Sequence, residues 1–214
     1  GDPLEILRAR CRDLCVIELG TIVKPWEWIL SEEERKRFTV MREKRGTSFL
    51  GARMALKTIA RRMPGGDPAA APRTLTTMHP DGRPRCPLPD GIEPFHCTAS
   101  HDSRFAVSAV SESRIGIDVE EITGRVLKGR RLYMHEEELA LASNHPLGET
   151  EASTRIWSIK EAVSKAAVSS LPGTWQGVAV REIGNDASRY EFDGETREAF
   201  HAVVEGHLFT LCIL

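Results

Sequence analysis

The chain has 214 residues, 41% of them hydrophobic and 28% charged, the balance of a soluble globular protein with room for a sizeable core. On length it is one large domain or two small ones, at roughly 100–200 residues each. The net charge of −2 names no partner. The densest apolar run, 208–214, falls far short of the roughly 20 residues that span a bilayer, which excludes a membrane helix. The first residues lack the basic segment and apolar run of a secretory signal. Five cysteines without a CxxC pair argue against a zinc ribbon or a disulfide framework, so a reducing, cytoplasmic setting is expected.

In chain order, a strand is expected at 14–19. Ser31 followed by Glu34 is a capping-box pattern, so a helix should start there with acidic residues in its first turn. A second helix is predicted over about 44–62, where Phe49, Ala52, Leu56, Ile59 and Ala60 recur at helical spacing and Arg45, Arg53 and Lys57 lie toward another face. Residues 35–62 carry ten basic side chains against Glu43 alone, a local excess of +9 that is either a solvated face or a grip for an anion. Eight of the twelve prolines fall in 63–94, which reads as irregular connection enclosing the turn Asp81-Gly82-Arg83-Pro84. Strand character runs from Phe95 to Val110, broken near Ser100–Ser103. Residues 104–121 are predicted to form a hairpin. Helices are expected at 135–143 and about 151–169, ended by Pro172-Gly173, and three strands at 177–183, 189–193 and 200–213. Helices precede strands in each half, and His101–Val107 faintly echoes His207–Leu211. An α+β fold follows, with halves at 1–110 and 111–214.

Four constellations can carry chemistry. In Gly116-Ile117-Asp118-Val119-Glu120, strand alternation points Asp118 and Glu120 the same way, either as two solvent-facing acids or as oxygen ligands for Mg²⁺. In Trp157-Ser158-Ile159-Lys160-Glu161-Ala162-Val163-Ser164-Lys165, helical spacing stacks Trp157, Glu161 and Lys165 with Lys160 one position aside. Glu161 then completes a metal site or accepts a proton, and Lys165 meets a phosphate, unless the two are a surface pair. Ser100-His101 is a candidate anion contact or a structural pair. Arg45, Arg53 and Lys57 suit phosphate contacts.

Together and in order, these pieces resemble the 4′-phosphopantetheinyl transferases of the surfactin-synthetase-activating type. Members of that family carry a GID(V/I)E strand and, about forty residues on, a WxxKEAxxK helix, here Gly116–Glu120 and Trp157–Lys165. Upstream they carry a (D/N)GKP turn, an SH pair and an Arg-rich helix, here Asp81–Pro84 with Arg83 for the lysine, Ser100-His101, and Lys44-Arg45 with Phe49–Arg53. The resemblance implies a pseudo-dimer of two similar halves, each an antiparallel sheet packed with helices, with the active site in the cleft between them. It implies transfer of 4′-phosphopantetheine from coenzyme A to a serine of an acyl- or peptidyl-carrier protein, leaving adenosine 3′,5′-bisphosphate. Asp118, Glu120 and Glu161 would hold Mg²⁺, with Glu161 as ligand or as base. Asp118, Glu161 and Lys165 would be catalytic. Arg45, Arg53, Arg83, Ser100, His101, Lys160 and Lys165 would contact the coenzyme.

A monomer without nucleic-acid or membrane partners is expected, with residues 122–143 facing the carrier protein. The rival readings are a metal-dependent phosphohydrolase or nuclease built on the three acids, and a nucleic-acid-binding module using the basic face of 35–62. The 6% aromatic content and the lack of a stacking motif disfavour the second.

Overall fold

Each of the two compact units of this chain is built from helices laid on an antiparallel sheet, in a computed structural model that describes residues 1–23, 27–87, 95–167 and 172–214. One unit comprises Cys11–Ser113, the other Gly1–Arg10 together with Arg114–Leu214. The fold is α+β.

The short helix α1 (Glu5–Arg8) is packed by Leu4 and Leu7, both buried, and the Arg10 guanidinium lies 4.4 Å from the centre of the Phe200 ring. Strand β1 (Asp13–Glu18) opens the other unit, and helix α2 (Glu32–Phe38) follows. The expected capping box is present there. Ser31 N donates to Glu34 Oε2 at 2.9 Å, and Glu34 N to Ser31 Oγ at 3.3 Å. Helix α3 (Glu43–Arg62) buries Phe49, Leu50, Ala52, Ala55, Leu56 and Ile59. Its Gly51 is a close-approach position, since a Cβ there would stand 2.5 Å from Leu19 and 3.0 Å from Ala106. Strands β2 (His96–His101) and β3 (Phe105–Ser111) form a hairpin closed by Asp102. The sheet order is β1-β3-β2, with all seven residues of β3 buried.

Strand β4 (Ile115–Glu121) is where the expected hairpin over 104–121 fails. β3 pairs only with β1 and β2, and β4 pairs with β8 of the other unit's sheet. Alternation and a short turn are compatible with pairing, but the helix beneath each strand decides. β3 packs on α3, whereas β4 packs on α5 (Glu149–Ala166), which follows α4 (Glu136–Ser143). Strands β5 (Ala179–Glu182), β6 (Ala187–Phe192), β7 (Glu195–Val204) and β8 (His207–Ile213) complete a sheet ordered β4-β8-β7-β6-β5. The single strand expected at 200–213 is thus split in two. Glu205-Gly206 (φ 48° and 81°) forms the β7–β8 turn, as Asp193-Gly194 (φ 57° and 78°) does for β6–β7. Positive φ at both central residues is the hairpin geometry that matches strand twist. No helix among the described residues is long and apolar enough to cross a membrane.

Candidate active site

β4 and α5 meet face to face, and their contact holds the acids. Gly116, Asp118 and Glu120 share the face of β4 turned to α5. A Cβ on Gly116 would sit 1.8 Å from the Ala162 carbonyl oxygen, so the helix approaches as closely as it does only because that residue is glycine. Two residues on, Asp118 is 3% exposed. Its Oδ1 accepts from Lys165 Nζ at 2.8 Å and its Oδ2 from Ser158 Oγ at 2.8 Å. Lys165 also donates to the Ile117 carbonyl at 3.0 Å. At the end of the strand Glu120 Oε1 accepts from the Trp157 indole N–H at 3.0 Å.

Charge crowds this face. Burial, and then the neighbouring Asp118, push the Glu120 carboxyl up to about 7, against the opposing pull of Trp157 and Lys165. Glu161 is likewise raised by burial and by Asp118, while Lys165 and a hydrogen bond from Trp175 lower it. The Trp157 ring centre lies 4.8 Å from that of Tyr133 and 5.1 Å from that of Trp175, an aromatic wall beside the two glutamates. Four of the expected site residues, Asp118, Glu120, Glu161 and Lys165, are therefore brought together. Sequence reasoning missed Ser158, Trp175 and the donor role of Trp157. Ser158 and Trp157 lie inside the quoted motif, but only the register of α5 on β4 shows what they touch.

Lys160, the expected contact of a coenzyme phosphate, is fully buried beneath α4 and the 3₁₀ turn at 172–177, next to Glu138 Oε2 at 3.0 Å. It also donates to the carbonyls of Val178 at 2.7 Å and Trp175 at 3.0 Å. Its three hydrogens are committed inside the protein. Glu138 in turn accepts from the amides of His135 and Val180. No sequence signal marked Glu138 beyond its place in an acidic first turn.

The remaining expected contacts lie in the Cys11–Ser113 unit. Arg53 is 5% exposed, donates to the Thr77 carbonyl at 2.6 Å and lies over the Phe49 ring, so it fastens α3 to the following connection. Lys57 does the same through Glu34 at 2.6 Å and the carbonyls of Ile29 and Pro72. Arg45 is exposed. Arg83 is exposed in the turn, paired with Asp81 at 2.6 Å. Ser100 is buried near the end of β2 and His101 beside it is exposed.

Among the described residues, no three His, Cys, Asp or Glu side chains are arranged as a ready metal cage. The donor chemistry of the β4–α5 face nevertheless suits a hard divalent cation. Three carboxylates face one ammonium, and two of them are held toward their neutral forms by burial and mutual charge.

Residues 114–212 match the model of the 4′-phosphopantetheinyl transferase superfamily. The matched segment runs from the start of β4 into β8 and includes all of α5. A 4′-phosphopantetheinyl transferase of Bacillus subtilis is 32% identical over 130 residues, 60% of this chain and 55% of that protein. The chain therefore spans little more than half the length of the curated relative it matches.

Proposed function

We propose that this chain is a 4′-phosphopantetheinyl transferase of the surfactin-synthetase-activating type. It would move phosphopantetheine from coenzyme A to a carrier-protein serine. The serine oxygen forms a bond to the β-phosphorus, the bond to the bridging diphosphate oxygen breaks, and adenosine 3′,5′-bisphosphate departs. The observation that carries this reading is the buried face on which Asp118, Glu120, Glu161 and Lys165 meet, inside the segment matched by the superfamily model.

Asp118, Glu120 and Glu161 would hold Mg²⁺, which supplies charge neutralisation for the donor diphosphate. Lys165 reaches this face from α5 and would meet a phosphate oxygen in exchange for Asp118. Glu161, raised from its ordinary range by burial and by Asp118, is the acid on α5 proposed to take the serine proton. The exposed Arg45, Arg83 and His101, with Ser100, remain the proposed coenzyme contacts. The other two expected contacts, Arg53 and Lys160, hold internal partners, the Thr77 carbonyl and Glu138 respectively.

The test is the mass of an apo carrier protein incubated with coenzyme A, Mg²⁺ and the enzyme. A phosphopantetheine increment is expected, with the rate falling at least about a hundredfold in Asp118→Ala and on chelation. An unmodified carrier with the wild-type protein overturns the proposal. The nucleic-acid module loses ground because Arg53 and Lys57 of its basic face are spent internally.

A carrier protein is acidic, and the stretch 122–143 offers it a mixed surface. Arg131 and Leu132 are exposed there, whereas Arg130 is tied to Glu149. Arg131→Glu is expected to lower kcat/KM for the carrier about three- to tenfold, with KM for coenzyme A unchanged. Unchanged carrier kinetics would reject this surface.

A further inference from the structure

We infer that Cys86 and Cys97 form a site of reversible thiol oxidation, closing into an intramolecular disulfide when a low-molecular-weight disulfide such as oxidised glutathione is in excess. Cys86 is the strongest single influence on the Cys97 thiol, which it raises. Both are part-buried and pack on one apolar cluster of Ala55, Ile59, Met63, Val110 and Cys15.

The sheet keeps Cys15 from competing for Cys97. Cys15 stands opposite Ser108 on β1, and Cys97 opposite Val110 on β2, with β3 between the two strands. Two strand spacings of about 4.8 Å and a two-residue offset along β3 put their Cα atoms roughly 12 Å apart, beyond the roughly 7 Å that a disulfide can span. Cys212 is buried on β8 of the other unit.

A cation stands by. Cys86 and then burial hold the Cys97 thiol well above its ordinary value, and the charge of Arg53 opposes them. The Arg53 Nε is buried and has no hydrogen-bond partner. The backbone leading to Cys86 is anchored on the carbonyl that Arg53 also holds, since Arg85 N donates to Thr77 O at 2.8 Å.

The chemistry balances in two exchanges. The Cys86 thiolate attacks one sulfur of glutathione disulfide, forming a mixed disulfide and releasing one glutathione thiolate. The Cys97 thiolate then attacks the Cys86 sulfur, forming the internal bond and releasing the second glutathione. Two protons leave the protein thiols, and the glutathione disulfide takes the two electrons. The product tethers the stretch bearing the Asp81–Pro84 turn to the strand bearing Ser100 and His101.

The test holds the folded full-length chain in glutathione buffers of rising oxidised fraction, then alkylates free thiols and reads intact mass and linked peptides. Expected are a loss of two hydrogens, three alkylated cysteines instead of five, and a single Cys86–Cys97 peptide that dithiothreitol releases. Cys97→Ser should stop at one glutathione on Cys86, and Cys15→Ser should behave as wild type. Cys86→Ser, on the connecting segment outside the sheet, should form no internal disulfide. Five alkylated thiols at every ratio would overturn the inference. So would a linked peptide containing Cys11, Cys15 or Cys212, or one that forms only in denaturant.

Discussion

Lys160 and Glu161 are neighbours in sequence, yet they leave α5 toward different surroundings and do different work. Glu161 joins the acids facing β4, whereas Lys160 enters the packing between α5, α4 and the turn at 172–177. An ion pair this deep gains little net stability over an apolar pair, but losing one partner strands the other charge. Lys160→Met is therefore expected to destabilise the protein by about 3–5 kcal/mol in urea unfolding, and adding Glu138→Gln should restore part of that. If the chain is the proposed transferase, its KM for coenzyme A at the permissive temperature should be unchanged, since the Lys160 partners are internal. A raised KM with normal stability would return Lys160 to the coenzyme. Spacing alone could not divide these roles. On a helix diagram Lys160 stands 100° from Glu161, and only the elements on each side decide which cation is spent on the interior. The same holds for Arg53 and Lys57, whose periodicity sets them apart from the apolar stripe of α3. Both are nonetheless buried, because Thr77, Pro72 and Glu34 cover them.

At the scale of elements, the site is one strand seated on one helix, and Gly116 sets how closely. Gly116→Ala would drive a Cβ into the Ala162 backbone, a clash that no rotamer relieves. A destabilisation of about 2–4 kcal/mol is expected in denaturant melts, together with a loss of activity exceeding what the unfolded fraction explains, because Asp118 would be lifted from Lys165 and Ser158. Wild-type stability in this variant would show that the strand and helix do not meet as described. Much of this level was readable from local chemistry. The Ser31–Glu34 cap, the apolar period of α3 and the alternation at 115–121 each have a nearest-neighbour cause. Pairing was not readable, since the signal for β4 is the same whichever strand it meets. The β6–β7 turn was legible in principle, because Asp193-Gly194 is a dipeptide suited to a two-residue hairpin, whereas Glu205-Gly206 carries a weaker signal.

For the molecule as a whole, stability should respond to pH in two opposite ways within one unit. Glu120 is raised to about 7, so the stability that comes from its neutral form is complete below about 4.5 and lost as pH climbs through 7. His201 lies buried between the Ser188 and Thr210 hydroxyls, at 2.8 and 3.0 Å, and burial depresses it to about 3. Its contribution is complete above about 6.5 and lost as pH falls toward 3. Without added divalent cation, the unfolding free energy should peak in the mildly acidic range and decline on both sides. Glu120→Gln should flatten the alkaline decline, worth on the order of 1–3 kcal/mol by pH 8, and leave the acid one intact. An alkaline slope that survives the substitution would assign it to another group. A different consequence follows from helix α1, which packs on β7 although some 190 residues of chain separate them. During synthesis residues 1–10 emerge well before β7, and their apolar side chains find cover only once that strand has been made. The residues between them can fold meanwhile, so the last docking step closes a very long loop, and a truncated 114–212 fragment would start with its α1 berth empty.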